Sequence, residues 1–151
     1  MNALPFLLAI TLVVATLQSS YYFLAVKKIG LIKWFFFNTC APWSFMFLLG
    51  LIIWFITRNK LILSLTLPGL IYFAVKGMLI FSWTRPISQL SHLIMLISSA
   101  FAFCLIFKDK PYKISLICLL VGITLLLIFN YFQTKFVSNH QLEFNQIMPV
   151  K

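Results

Sequence analysis

Apolar residues in this chain run on for about twenty positions at a time, and the polar residues collect in short breaks between the runs. A helix rising 1.5 Å per residue needs roughly 20 such residues to cross about 30 Å of hydrocarbon. Five stretches meet that length: Leu4–Val26, Trp34–Ile56, Leu61–Trp83, Ile87–Phe107 and Ile114–Phe132. The breaks between them are Lys27-Lys28-Ile29-Gly30, Thr57-Arg58-Asn59-Lys60, Thr84-Arg85-Pro86 and Lys108-Asp109-Lys110-Pro111. Each combines cations with residues that stop or start helices. Trp34, Trp54, Trp83, Tyr112 and Tyr131 fall near span ends, where an interfacial aromatic belt belongs. The third stretch contains Pro68 and Lys76, so a count of four spans remains the alternative to five. The pattern predicts an all-α integral membrane bundle over residues 1–132 with short loops, and a loose polar tail over 133–151.

Composition removes the soluble alternatives. Of 151 residues 62% are hydrophobic and only 9% charged, whereas a soluble domain carries about 25% charged residues. Such a chain cannot cover a globular surface with polar groups. The first span lacks a positive region ahead of its apolar core and is longer than the core of a signal peptide, so it is expected to be retained. Twelve Lys and Arg face two acids, for a net charge of +10. These cations flank apolar runs, which points to lipid headgroups and not to nucleic acid. Cys40, Cys104 and Cys118 lie within apolar runs at unrelated spacings. They are expected to be small buried hydrophobes; no metal set, cofactor or disulfide framework is indicated.

Orientation is weakly specified. Numbering the spans in order puts six Lys and Arg on one side and five on the other, and the positive-inside rule needs an asymmetry to act on. Either one topology wins through other factors, or the chain inserts both ways and pairs as an antiparallel homodimer.

The stretch from Pro86 to Ile128 reads PISQLSHLIMLISSAFAFCLIFKDKPYKISLICLLVGITLLLI, and the first span closes with ATLQSSYYFLAVKKIG. A helix rich in small and apolar residues ends there in an acidic-basic turn, and a Leu/Ile run with Gly122 follows. Over about half of the chain this resembles a five-helix repeat of the drug/metabolite transporter superfamily, EamA-like and related to the small multidrug resistance proteins. The resemblance implies a multi-pass protein of the cell (inner) membrane. It also implies a partner, either a second copy or a related membrane chain, because full-size members carry two repeats of opposite orientation. There are departures. Asp109 stands where the turn usually has Glu, and Thr11-Leu12-Val13-Val14-Ala15 lacks the embedded glutamate of the small exporters. No Asp or Glu lies in any span, so carboxylate-driven cation antiport has no candidate residue.

Polar residues inside the spans supply the candidate chemistry, since an ionisable side chain in hydrocarbon is costly and needs a reason. Lys76 sits about seven residues, or roughly 10 Å, inside the Trp83 end of its span. Either the helix starts later than Leu61 and Lys76 lies nearer water, or Lys76 faces an aqueous cavity and attracts an anionic group. His92 lies at similar depth on the next helix, where a hydrogen bond to a neighbouring helix is the plainer role. Gln18, Trp43 and Thr124 come to the same layer, and Tyr72 and Trp83 share a helix face with Lys76. Pro42 and Pro68 are candidate kinks, and Ser98, Ser99, Ala100 and Ala102 suit close helix packing.

These residues lead to a small transporter, or transporter subunit, moving an anionic or neutral metabolite or a lipid-linked group. The alternatives are a non-transporting component that scaffolds or regulates a larger complex, and an accessory flippase for polyprenyl-linked sugars. Two acids and two histidines assemble no catalytic group, so an enzyme is not expected.

Overall fold

In the computed structural model, which describes residues 3–80, 86–108 and 113–148, 91% of residues are helical and none lies in a strand. Helix α1 spans Leu4–Tyr21 and runs on through a π-helical turn, Tyr22–Val26. The short α2 is Leu31–Phe37, followed by α3 (Cys40–Thr57), α4 (Leu61–Ile80), α5 (Pro86–Lys108), α6 (Lys113–Asn139) and the short α7 (Gln141–Ile147). Five of the described helices are long and apolar enough to cross a membrane. The protein is therefore an all-α bundle of the multi-pass membrane type.

The predicted spans correspond to these five helices, with two changes. The second span is shorter at its start than Trp34 implied, because the backbone breaks at Asn38-Thr39 and separates α2 from α3. Pro42 then falls in the first turn of α3, where its missing N–H is an orphan in any case, and it kinks nothing. At the other end of the chain the tail is not loose. Helix α6 continues seven residues past Phe132 to Asn139, and α7 folds back beyond it. Phe136, His140 and Phe144 recur at four-residue spacing and pack. Phe136 stacks on Phe36 at 4.5 Å and on His140 at 4.4 Å, and Phe144 meets Phe37 edge-on at 5.2 Å.

Helix α4 is the axis of the bundle. Half of its apolar window is buried, against 17% for α6, and it touches α3, α5 and α6 while α1 closes the ring against α3 and α5. Leu63, Leu67, Leu70, Phe73 and Ala74 of α4 form the centre of the core with Leu12, Phe47, Leu51, Met95, Ala102 and Ile106. Lipid offers little hydrophobic drive for helix association, so close backbone approach has to supply it. Gly122 of α6 provides one such approach: a Cβ there would lie 2.3 Å from the Leu65 carbonyl oxygen and 3.2 Å from Pro68 Cγ. Pro68 thus sits inside α4 at the point where α6 crosses it. Ser98, Ser99 and Ala102 of α5 are buried, as helix contact predicts, whereas Ala100 is exposed.

The ends are tied by polar groups. Asn59 Oδ1 accepts from the Leu61 N–H at 2.9 Å at the start of α4. Lys60 Nζ donates to the Leu105 carbonyl at 2.7 Å in the last turn of α5, where a cation also suits the helix dipole. The three cysteines are free, and Cys104 is exposed while Cys40 and Cys118 are only partly buried, so none is the fully buried hydrophobe expected.

Candidate functional site

At the end of the bundle where α1, α4 and α6 finish and α3 and α5 begin, the helices part around a cavity of about 900 Å³. It reaches Leu12 and Ala15, near the middle of Leu4–Val26, and Met95 on α5. Below that level the bundle is filled by Phe47, Leu51, Leu63, Leu67, Ala102 and Ile106. Above, the π-helical turn, α7 and the C-terminal turns of α6 form a cap. Its own apolar cluster joins Phe23, Ile29, Phe37 and Ile147, and α2 is pinned to α7 by Lys33 Nζ, 2.8 Å from both Glu143 carboxylate oxygens.

Lys76 and His92 both line the cavity. Helix α4 begins at Leu61 and not later, and it is described to Ile80, four residues beyond Lys76. The Lys76 ammonium stands 5.5 Å from the Tyr72 ring centroid and 5.9 Å from that of Phe73, so aromatic faces of its own helix support the charge. Of the two acids in the chain, Glu143 is held by Lys33 on the cap, and Asp109 lies outside the described residues. His92 is 5% exposed, and its ring lies directly on Gly77. A Cβ at Gly77 would stand 2.1 Å from His92 Cδ2 and Nε2, so only glycine leaves room for the imidazole between α4 and α5. His92 Nε2 is also 3.5 Å from Cys40 Sγ, at the first residue of α3. His92 thereby bridges three helices at the cavity wall.

Gln18 is exposed and lines the cavity from α1, so three of the seven predicted residues come together there. Of the other four, the three that are described do not. Trp43 lies beneath the wall, its indole against Gly69 and 6.2 Å from the Phe73 ring. Tyr72 turns towards α6, its hydroxyl donating to Asn130 Oδ1 at 3.3 Å. Thr124 is exposed on α6 and bonds its own helix at the Leu120 carbonyl, 3.1 Å away. Trp83 lies outside the described residues. Depth along a helix placed Trp43 and Thr124 in one layer with Lys76, but rotation about the helix axis decides which residues face inward.

The polar belt around the cavity went unpredicted. Ser19 and the Asn38 amide bond each other at 3.0 Å, holding the α2–α3 break against α1. Gln133, one residue beyond the predicted last span, donates to the Phe36 carbonyl at 3.3 Å and to Thr39 Oγ1 at 3.4 Å. The signal was present in the sequence, since Asn-Thr interrupts an apolar run shortly before a proline, and that is a helix stop followed by a start.

The chain matches no family model, no curated protein and no solved structure.

Proposed function

We propose that this protein is a small multi-pass transporter, or a transporter subunit, of the drug/metabolite type in the cell (inner) membrane. It carries a small anionic or neutral metabolite, or a lipid-linked group, across the bilayer. One observation carries the reading: a cavity large enough for a whole small molecule enters the bundle from one end, holds Lys76 and His92, and stops at a packed layer. A cavity confined to one half of the bundle and blocked at mid-span fits one state of an alternating-access carrier. The ammonium, with no carboxylate among the described residues of the cavity wall, favours anions over cations. The even split of Lys and Arg supports pairing with an oppositely inserted copy, which would supply the second repeat.

The test is flux. Proteoliposomes containing the full chain and loaded with labelled organic carboxylates and phosphates should release at least one of them faster than empty liposomes. Lys76→Ala should abolish that release with the amount of inserted protein unchanged. Release that persists in Lys76→Ala removes Lys76 from the mechanism. Absence of any flux with cavity binding intact would return the chain to the class of non-transporting membrane components.

A further inference from the structure

The polar residues around the cavity suggest a hydrophilic site, yet the surface they present to it is largely carbon. Their hydrogen bonds explain why. Thr16 donates to its own Leu12 carbonyl at 2.7 Å, Ser19 and Asn38 satisfy each other, and the Gln133 amide is directed at Phe36 and Thr39. These donors hold helices together and are not offered to an occupant. What faces the space is the aromatic and aliphatic surface of Phe73, Met95, Phe37, Phe23 and Leu12. Among the described residues that line the cavity, one carries a permanent charge, Lys76, and none is an acid.

A highly hydroxylated anion would lose its water here and find few partners, which is unfavourable. A cation would meet Lys76. A neutral hydrocarbon would gain nothing over the surrounding lipid. From the union of a mainly apolar wall with a single ammonium we infer that the cavity selects amphipathic organic anions: one carboxylate or phosphate against Lys76, and an aromatic or aliphatic body against Phe73, Met95 and Phe37. The inference rests on the cavity being a substrate site and narrows the substrate class of the reading above.

Binding is measured separately from transport. The full chain in lipid nanodiscs is titrated with tritiated 3-phenylpropionate, and protein-free nanodiscs correct for partition into lipid. Saturable binding is expected, displaced by octanoate but not by gluconate, 3-phenylpropanol or 3-phenylpropylamine. Lys76→Met should weaken it about tenfold or more, and Lys76→Arg should stay within about threefold of the parent, the difference expected for one charge-assisted contact. Met95→Gln, similar in length but polar, should weaken 3-phenylpropionate severalfold. Equal displacement by gluconate or by the amine overturns the inference, as does absence of saturable binding of either carboxylate. These competitions use the unmodified chain and do not depend on any variant folding. Binding without flux would refute transport and leave this inference standing. Flux of a hydrophilic solute without carboxylate binding would do the reverse.

Discussion

Gly77→Ala is a one-methyl test of how the cavity wall is assembled. The new Cβ would stand 2.1 Å from two atoms of the His92 ring. An ordinary carbon contact needs roughly 3.5–4.0 Å, so the ring has to retreat by more than about 1 Å. Retreat is obstructed, because the ring is 5% exposed, closely packed between α4 and α5, and its Nε2 already lies 3.5 Å from Cys40 Sγ. Overpacking of this kind costs about 1–3 kcal/mol, while replacing a helix-interior glycine with alanine returns about 1 kcal/mol. The net expectation is a loss of up to about 2 kcal/mol in the parent chain. In a His92→Ala background the methyl has room, and the same change should stabilise by about 1 kcal/mol. Reversible unfolding of the four proteins in mixed micelles closes a double-mutant cycle, with an expected coupling of about 1–3 kcal/mol. A coupling below about 0.5 kcal/mol would mean that imidazole and glycine are not in contact, and the account of the wall would fall with it.

Gly122→Ala should be worse, about 3 kcal/mol, because its Cβ meets a backbone carbonyl that cannot rotate away and α6 must lift from α4; parent-like unfolding would refute that crossing. Lys33→Met should lower stability by less than about 1 kcal/mol, since the Lys33 and Glu143 side chains are each 38% exposed and solvent screens the pair; a loss above about 2 kcal/mol would show that the cap depends on it. Asn38→Ala and Ser19→Ala should each cost about 1 kcal/mol and fail to add when combined, because they remove one shared hydrogen bond; additive losses in the same unfolding assay would place their effects elsewhere.

The crossings of the membrane were legible because an apolar run of twenty residues has almost no other stable fate in lipid. Two features were not. The break at Asn38-Thr39 lies inside an aromatic run whose hydropathy hides it, and its polar partners Ser19 and Gln133 come from distant helices. The helix beyond Phe132 was hidden for the opposite reason, since its polar residues masked the four-residue rhythm of Phe136, His140 and Phe144. For the site, residue depth brought Gln18, Lys76 and His92 to one end. Thr124 shows what depth leaves open, since it bonds its own helix, and Tyr72 shows what a shared helix face leaves open, since its hydroxyl bonds a neighbouring helix; neither lines the cavity. Gly77, beside Lys76, was the overlooked clue to which face of α4 receives His92.

Helix α6 has mechanical consequences of its own. Its 27 residues form one uninterrupted rod, about 40 Å long at 1.5 Å per residue and so longer than the roughly 30 Å hydrocarbon layer. No joint separates its immersed part from the part that carries the cap. A displacement of its cap-bearing turns therefore tilts the whole rod, with the Gly122–Leu65 contact as fulcrum, against the helix that bears Lys76. Such a shaft would carry movement of the cap to α4 along a single continuous helix.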